Sequence, residues 1–546
     1  MAAVAWLLLL WFAAPACSAS IRGVADRVRT ALILAVGIPF VLGFANLLFA
    51  GTLVATAFAL AVVRIVRHGW RERLPRLGVA DVGALAVVVA LVWPVAVRPV
   101  LDGDTLNYHL PNAASWVTAH GVWTTGTRYW WYPPGSELAG SALWAIAGPN
   151  AVGWTGLVPA ALLLARLRAC ARDAGHPSAV GLALGCGVLA TTAARIQLFS
   201  LQNDLWLATL VVEGAACTGA ARTALALVKP SGIAFAALVT LRDPAWRGHL
   251  LWPIPLLAWV AHDVLLWRMA AVPPQSTAYP GIWGSTMAAH MPGGLAVGVR
   301  AIVAAGPCTV LGFTLGLAAL LTRERLLALG ALVLCICTPY GYTNPDPQLA
   351  TGESLRFGLP FVALGGLAFA RLPGPLSRLV ATMAAGCVLV DVRAWWTVFV
   401  GDAATHGVAL AVLVAAALCG LIAWFPQRPA FAYPLLLAGG AGWCAHMVDD
   451  RAPAYLAGVY EAASVGGIFR WLERERAATI LTLDLPSGAV ALVAPRSTAV
   501  GDLDPTSACA EIARLHPLVV ARDDDAAPCG LVPVFDDGHF RALTPP

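Results

Sequence analysis

Charged side chains are scarce in this sequence, and their scarcity excludes an ordinary soluble protein. Only 12% of the 546 residues are charged, whereas 59% are hydrophobic. Soluble domains carry about 25% charged residues, and a single water-soluble core stops growing at about 250–300 residues. Because such a core cannot absorb this much apolar sequence, lipid must solvate the excess. We therefore expect a polytopic membrane protein.

Lysine is almost absent. Lys229 is the only lysine, so 34 of the 35 basic residues are arginine. It follows an apolar stretch and immediately precedes Pro230. An ionisable group within an apolar run is a functional candidate, and a sequence that otherwise uses arginine makes this lysine a poor fit for a generic surface charge. The alternative is a lysine whose ammonium simply extends to the membrane surface.

Familiar ligand-binding signatures are missing as well. The twelve cysteines lack the spacing of metal ligands, and no phosphate-binding glycine-rich loop is present. Cys509 and Cys529 are the only cysteines of the polar C-terminal part. An even pair in an oxidising compartment favours a disulfide, and two buried free thiols are the alternative.

The net charge of +5 indicates membrane topology rather than nucleic-acid binding, because most positive residues lie in short loops between apolar runs.

Apolar runs of membrane-spanning length are abundant. A transmembrane helix needs about 20 predominantly apolar residues, and continuous rather than alternating runs favour helices. The clearest runs are Ala31–Val66, Val79–Val97, Ala151–Ala165, Leu250–Trp267 and Gly407–Phe425. We predict an all-α polytopic domain of about fourteen transmembrane helices over residues 1–447. Between Asp204 and Arg242 we predict a re-entrant pair of helices that is broken at Lys229-Pro230.

Arginine placement predicts the orientation of these helices, because cytoplasmic loops carry the excess of positive charge. The densest basic loop is 64–76, which we place in the cytoplasm of a plasma-membrane (inner-membrane) protein. The loop 98–150, with only two basic residues, then lies outside, as does everything after residue 447. Residues 448–546 have the composition of a small extracytoplasmic α/β domain. Its predicted strands are Ile480–Leu485, Val490–Ala494 and Leu518–Ala521, and its predicted helix is Thr506–Leu515.

The loop 98–150 concentrates residues that can carry chemistry. Its first part contains Asp102, Asp104, Tyr108 and His109, and its second part contains Trp131, Tyr132 and Glu137. A carboxylate at the end of a helix can act as a general base, and aromatic rings offer flat faces to sugars and isoprenoid chains. The alternative interpretation is an interfacial belt of aromatic residues with solvated acids.

Two further polar residues stand at predicted outer helix boundaries. Asp204 belongs to the string Gln202-Asn203-Asp204, and Arg356 opens a helix after Ser354. Arginine presents a planar fork that suits a phosphate. Both residues can also be ordinary charges at helix ends.

Order and spacing within the loop resemble a known family. The string Asp104-x-x-x-Tyr108-His109-x-Pro111 and the later Tyr-Pro-Pro-Gly-x-Glu element ending at Glu137 resemble the first extracytoplasmic loop of the GT-C superfamily. These polytopic glycosyltransferases use lipid-phosphate-linked sugars. The likeness is to bacterial members related to protein mannosyltransferases, aminoarabinose transferases and Rhizobium lipopolysaccharide sugar transferases.

The resemblance implies a role for each candidate residue. Asp104 matches the family's catalytic carboxylate, and Asp102 completes a D-x-D string that binds a divalent metal in some members. Lys229 matches a lysine near the lipid phosphate, and Arg356-Phe357 resembles an R-Y-x-x-P element with phenylalanine in place of tyrosine. Tyr108, His109, Trp131, Tyr132, Glu137 and Asp204 are then expected to bind substrate.

The implied activity is an inverting transfer of a hexose or pentose at the outer face of the membrane. The donor is a polyprenyl-phosphate sugar, the acceptor is a lipid, a glycan or a protein, and no cofactor is required unless a divalent metal binds at Asp102 and Asp104. Two other classes of function remain open. One is a secondary transporter, in which the same charges bind a substrate or an ion, and the other is a non-catalytic membrane scaffold with this fold.

Overall fold

Helices dominate the chain, as the apolar runs predict. The computed structural model describes residues 2–17, 23–68, 78–96, 104–125, 127, 129–216, 220–242, 252–270, 293–338 and 355–395, and, in the C-terminal part, 466–472, 474–475, 477, 479–482, 490, 498–501, 509, 512–513, 516–522 and 528–545. The predicted run Gly407–Phe425 and the predicted domain boundary at 447/448 lie outside these residues, so the count of about fourteen spans stays a prediction.

Eighteen α-helices are described before residue 396. In chain order they are α1 Ala2–Cys17, α2 Val24–Phe44, α3 Ala50–His68, α4 Val79–Ala96, α5 Leu110–Ala119, α6 Gly135–Ala147, α7 Leu157–Asp173, α8 Ser178–Ala190, α9 Thr192–Arg195, α10 Asp204–Ala216, α11 Ala220–Val228, α12 Pro230–Arg242, α13 Ile254–Ala270, α14 Gly293–Ala304, α15 Pro307–Ala319, α16 Arg325–Cys337, α17 Leu359–Arg371 and α18 Pro375–Trp395. The run Ala31–Val66 is divided between α2 and α3, because Asn46 takes a left-handed conformation with φ 56° and ends the first helix.

Four helices within the described part of the chain are long and apolar enough to cross a membrane. They are Val24–Phe44, Ala50–Arg67, Ala151–Asp173 and Pro375–Trp395. Several shorter apolar helices, such as Ser178–Ala190 and Pro307–Ala319, accompany them. These helices support the prediction of a multi-pass membrane protein.

Helix α10 lies at the centre of the bundle. Every residue from Asp204 to Gly214 is buried, and its apolar side chains join one continuous core with those of α7, α8 and α17. A helix that is buried on every side belongs inside a bundle. Because α10 is enclosed, its first residue, Asp204, is held rigidly.

Glycines allow α15 and α17 to approach each other closely. A Cβ atom added to Gly365 would lie 2.5 Å from the backbone nitrogen of Gly316, and one added to Gly312 would lie 2.6 Å from a methyl group of Val362. Small residues of this kind let transmembrane helices bring their backbones together. The contact fixes the direction of α17, and with it the turn that precedes α17.

The predicted helix break at Lys229 is confirmed. Helix α11 ends at Val228 and α12 begins at Pro230, a favourable first position because proline has no backbone N–H to leave unpaired. The carbonyl oxygen of Lys229 accepts a hydrogen bond from Gly232 N at 2.8 Å. Lys229 therefore occupies the corner between two helices, where its side chain can extend away from both.

The C-terminal part forms a five-stranded sheet with a short helix, α19 Gly466–Leu472. Its strands are β1 Thr479–Thr482, β2 Thr498–Gly501, β3 Leu518–Arg522, β4 Val532–Asp536 and β5 Phe540–Thr544, in the spatial order β2-β1-β3-β5-β4. Strand β1 is parallel to β2 and β3, whereas β5 is antiparallel to β3 and β4. Two of the three predicted strands correspond to β1 and β3. The third, Val490–Ala494, and the predicted helix Thr506–Leu515 lie mostly outside the described residues.

A disulfide joins Cys509 to Cys529, with 5.5 Å between the two Cα atoms. The predicted pairing is therefore confirmed. It ties the segment before β3 to the turn before β4, so it encloses β3 in a covalent loop.

The C-terminal sheet packs on the loop 98–150. Leu106, Leu110 and Ala114 of the loop belong to the same buried apolar cluster as Phe469 of α19 and Phe540 of β5. Helix α5 is thus enclosed between the helical bundle and the sheet. This contact was not predicted, because nothing in the local sequence of α5 indicates a partner so distant along the chain.

Candidate active site

Four charged side chains from four separate segments meet at one point. Asp104 precedes a helical turn in the loop, Asp204 begins α10, Lys229 occupies the corner between α11 and α12, and Arg356 lies in the 3-10 turn Leu355–Gly358 before α17. Arg356 Nη2 lies 2.5 Å from Asp104 Oδ2, and Arg356 Nε lies 3.8 Å from Asp204 Oδ2. Lys229 forms an ion pair with Asp204. Asp104 thus contacts Arg356, Arg356 contacts Asp204, and Asp204 contacts Lys229.

A π-helical turn presents Asp104. Residues Thr105–His109 form this turn, in which Leu110 N donates to the carbonyl oxygen of Thr105, five residues back. The hydroxyl of Thr105 accepts a hydrogen bond from Leu201 N at 3.2 Å, which ties the turn to the segment before α10. Single π-turns inside helices occur frequently at functional sites. This hydrogen bond holds the π-turn, and Asp104 immediately before it, near the start of α10.

Asp204 is the buried centre of the charge cluster. Its side chain is 3% exposed and, besides its two cations, accepts a hydrogen bond from Gln197 Nε2 at 3.4 Å. Gln197 Oε1 in turn accepts from Leu205 N at 2.8 Å. A buried carboxylate is tolerated only when it is paired and hydrogen-bonded. Sequence reasoning missed Gln197, whose one visible signal is a polar side chain close before Asp204.

The ring of Phe357 contacts both cations. Lys229 Nζ lies 4.8 Å from the ring centroid, and the guanidinium carbon of Arg356 lies 5.0 Å from it. Cations within about 6 Å of an aromatic face are attracted by its quadrupole. Phe357 therefore helps to hold the two positive charges on one side of the site.

The electrostatic surroundings keep Arg356 charged and Tyr108 neutral. Although burial acts against its charge, the carboxylates of Asp104 and Asp204 raise the pKa of Arg356 above its ordinary value. Burial, together with the charge of Asp104, raises the pKa of Tyr108 well above its ordinary value. Tyr108 Oη, which lies 3.5 Å from Asp104 Oδ2, is thus a hydrogen-bond donor to that carboxylate.

His109 and Glu137 form a buried pair behind this surface. Each side chain is 1% exposed, and His109 Nδ1 lies 2.6 Å from Glu137 Oε1. The second carboxylate oxygen of Glu137 accepts a hydrogen bond from Ser136 Oγ at 2.9 Å. The pair links the end of the π-turn to the first turn of α6. Both residues were predicted to bind substrate. In the structure their side chains are buried, whereas the Asp104 side chain is partly exposed.

Aromatic rings of the loop form a wall beside Asp104. Tyr129 and Tyr132 stack with their centroids 4.7 Å apart, and Tyr108 meets Tyr129 edge-on at 4.9 Å. Trp131 meets Tyr132 edge-on at 4.6 Å, and its carbonyl oxygen accepts a hydrogen bond from Trp259 Nε1 of α13 at 3.3 Å. Tyr129, which was not among the predicted site residues, takes a left-handed conformation with φ 54°. All four rings are partly exposed, so the wall can contact a ligand.

The structure does not gather every predicted residue at this point. Asp102 lies outside the described residues. His262, which was not among the predicted site residues, is separate from the cluster: its ring contacts Asp263 Oδ1 and the carbonyl oxygen of Val122, both at 3.0 Å. Within the described part of the chain, no group of three or more histidine, cysteine or acidic side chains could hold a metal ion. The cluster as described therefore consists of two carboxylates, two cations and an aromatic wall.

Comparison with known proteins gives similarity in structure alone. No protein-family model matches the chain, and no curated protein matches it. Two crystal structures of ArnT from Cupriavidus metallidurans are similar, one bound to undecaprenyl phosphate and one in the apo state. Each has a TM-score of 0.45 and covers 85% of this chain and 97% of its own, with sequence identities of 17% and 15%. At this identity and TM-score the likeness supports no residue's role.

Proposed function

We propose that the protein is a membrane glycosyltransferase that moves a sugar from a polyprenyl-phosphate donor to an acceptor hydroxyl at the outer face of the membrane. The observation that carries the proposal is the meeting of Asp104, Asp204, Lys229 and Arg356 beside an aromatic wall. These residues come from segments far apart in sequence, each of which was selected from its own motif. A group of two cations suits a lipid phosphate, and an adjacent carboxylate suits proton removal.

Lys229 and Arg356 act on the donor phosphate in this proposal. When the bond between the anomeric carbon and the phosphate oxygen breaks, the leaving phosphate gains negative charge. Cations fixed in position beforehand stabilise that developing charge without reorganisation. The ring of Phe357 contacts both cations, and the buried carboxylate of Asp204 pairs with both and so holds them in position.

Asp104 acts on the acceptor. It takes the proton from the acceptor hydroxyl as that oxygen forms a bond to the anomeric carbon from the face opposite the phosphate, so the configuration inverts. Tyr108, as a hydrogen-bond donor, orients the carboxylate. The partly exposed rings of Trp131 and Tyr132 offer apolar faces to the sugar, and the acceptor is a lipid, a glycan or a protein.

The proposed function is tested by transfer of a radiolabelled sugar from polyprenyl phosphate by the purified protein in detergent. We expect product with the wild-type protein. Lys229→Ala and Arg356→Ala are expected to raise KM for the donor, since both side chains address the phosphate. Lys229→Arg, which retains the charge, serves as the matched control.

A secondary transporter would give a different result with the same purified protein. It forms no glycosylated product in detergent, where no membrane separates two compartments, but moves its substrate across sealed vesicles. Absence of product with a folded wild-type protein and a panel of acceptors, together with uptake by vesicles, would replace the glycosyltransferase proposal with the transporter.

A further inference from the structure

Asp104 and Arg356 are ion-paired to each other, although the proposed function requires each of them to contact a substrate. Arg356 Nη2 lies 2.5 Å from Asp104 Oδ2. An arginine paired in this way offers less of its charge to a phosphate, and the carboxylate oxygen that contacts the arginine is not free to contact an acceptor hydroxyl. The ion pair must therefore open before the reaction can proceed.

The two carboxylates that contact Arg356 differ in how easily they can leave it. The Asp104 side chain is 31% exposed, so water can solvate its charge when the pair opens. The Asp204 side chain is 3% exposed and also carries the ion pair to Lys229 and the hydrogen bond from Gln197. Separating a buried carboxylate from its partners costs far more than separating an exposed one. Asp104 is thus the partner that a ligand can displace.

Charge balance supports the same exchange. Asp104 and Asp204 contribute two negative charges, and Lys229 and Arg356 contribute two positive charges, so the cluster is neutral as it stands. A phosphodiester carries one negative charge, as does Asp104. If the phosphodiester takes the place of Asp104, the charge next to Arg356 does not change. If it binds while Asp104 remains, one negative charge is left without a partner.

We propose that the donor phosphate replaces Asp104 as the ion-pair partner of Arg356, and that Asp104 becomes available to the acceptor only after the donor has bound. This inference rests on the proposed function. It makes donor binding the first step: Arg356 exchanges a carboxylate for a phosphodiester, and the released Asp104 turns to the acceptor hydroxyl and takes its proton. After transfer, the polyprenyl phosphate leaves, Asp104 gives the proton to water, and the pair with Arg356 forms again.

The test is a double-mutant cycle for the binding of undecaprenyl methyl phosphate, a phosphodiester with one negative charge like the donor, to the purified protein in detergent, which requires no transfer. Asp104→Asn removes the competitor of the phosphate, so we expect it to bind the lipid about threefold to tenfold more tightly than the wild type. Arg356→Gln is expected to bind more weakly. In the Arg356→Gln background, Asp104→Asn should bring much less gain, because the shared partner is gone.

Two controls separate exchange from a general effect of charge. Asp104→Glu retains the negative charge and is expected to bind no more tightly than the wild type. Asp536→Asn removes a carboxylate from β4, where it pairs with Arg541, and is expected to leave the affinity unchanged.

The outcomes are distinguishable. If Asp104→Asn is folded and binds the lipid with unchanged or lower affinity, the exchange is wrong, while the proposed donor stands. If Asp104→Asn raises the affinity equally in the wild type and in the Arg356→Gln background, the exchange is also wrong, because the effect then does not depend on Arg356. If neither the wild type nor any variant binds the lipid, both the donor class and the exchange are wrong.

Discussion

At the scale of single residues, the site depends on two carboxylates whose environments differ. Asp204 is enclosed at the start of α10 and contacts both cations, whereas Asp104 is partly exposed on a turn and contacts Arg356 and Tyr108. A buried, fully paired carboxylate holds its neighbours in place, and an exposed one can move and exchange partners. We therefore propose that Asp204 holds the two cations in position and that Asp104 acts as the base.

Asp104→Asn tests the chemical assignment. The amide is nearly isosteric but cannot accept the acceptor's proton, and a general base typically contributes about 10²–10⁴-fold. We expect turnover to fall by about that factor while the protein stays folded. Full activity of Asp104→Asn, measured beside an active wild-type preparation, would remove Asp104 from the mechanism.

Asp102→Asn is the companion variant, because it removes the other carboxylate of the D-x-D string. We expect a much smaller loss of turnover than for Asp104→Asn, and no effect of EDTA on the wild type. If EDTA and both variants abolish activity together, the two aspartates hold a divalent metal, and the role of Asp104 changes from base to ligand.

Glu137 is expected to act on stability through His109. Glu137→Leu leaves His109 buried without its acceptor, and an unsatisfied buried group costs about 1–3 kcal/mol. Glu137→Gln keeps an acceptor oxygen for His109 Nδ1 and should cost less than that. Thermal unfolding in detergent compares the two. Equal melting temperatures for the Leu and Gln variants would contradict the role of the pair.

The sequence identified the charged members of the site but not how they pair. Asp104, Lys229 and Arg356 were selectable because each breaks a local pattern: an acid after an apolar helix, a lone lysine beside a proline, an arginine opening a helix. Whether Arg356 contacts a phosphate or Asp104 depends on tertiary packing. Local sequence does not predict that contact, and it does not predict that His109 is buried against Glu137.

At the scale of elements, breaks in regular helices place the functional side chains. The π-turn Thr105–His109 leads into α5, the 3-10 turn Leu355–Gly358 leads into α17, and the corner at Lys229 lies between α11 and α12; a charged residue of the site stands at each of these three places. The proline at 230 made one break predictable. The π-turn was not, because its hydrogen bonding depends on contacts such as that between Leu201 N and the Thr105 hydroxyl.

Gly365→Ala tests the close packing of α15 and α17, which fixes the turn that carries Arg356. The new Cβ would lie 2.5 Å from Gly316 N, so the helices must separate, and overpacking typically costs about 1–3 kcal/mol. We expect a lower melting temperature. The control is Gly386→Ala in α18, where a Cβ meets nothing within 4 Å and alanine is the better helix former. A Gly365 variant as stable as the control would contradict the packing argument.

At the scale of the whole molecule, several other arginines form ion-pair clusters away from the site. Arg166 Nε lies 2.6 Å from Glu213 Oε1, toward the other end of α10 from Asp204. Arg242 Nη1 lies 2.7 Å from Glu324 Oε2, and Arg371 pairs with the same carboxylate. This arrangement agrees with a bundle whose cytoplasmic ends are basic.

Topology is tested by labelling and by the state of the C-terminal cysteines. Reporter fusions after Arg73 and Ala452 are expected to give a cytoplasmic and an extracytoplasmic signal, respectively. Cys509 and Cys529, bonded in the structure, should resist alkylation until reduced. Closing a loop of about 20 residues contributes roughly 3 kcal/mol by chain entropy. A cytoplasmic signal from Ala452 would contradict the external placement of the C-terminal domain, and two free thiols in protein purified without reductant would contradict the disulfide.

The most direct measurement of the central claim is an experimental structure of the purified protein with undecaprenyl phosphate. The account predicts a phosphate between Lys229 Nζ and the guanidinium of Arg356, at the roughly 2.7–2.9 Å typical of charged hydrogen bonds, with Asp104 turned away from Arg356 and toward the aromatic wall. A phosphate bound elsewhere, with the pair between Asp104 and Arg356 intact, would contradict it.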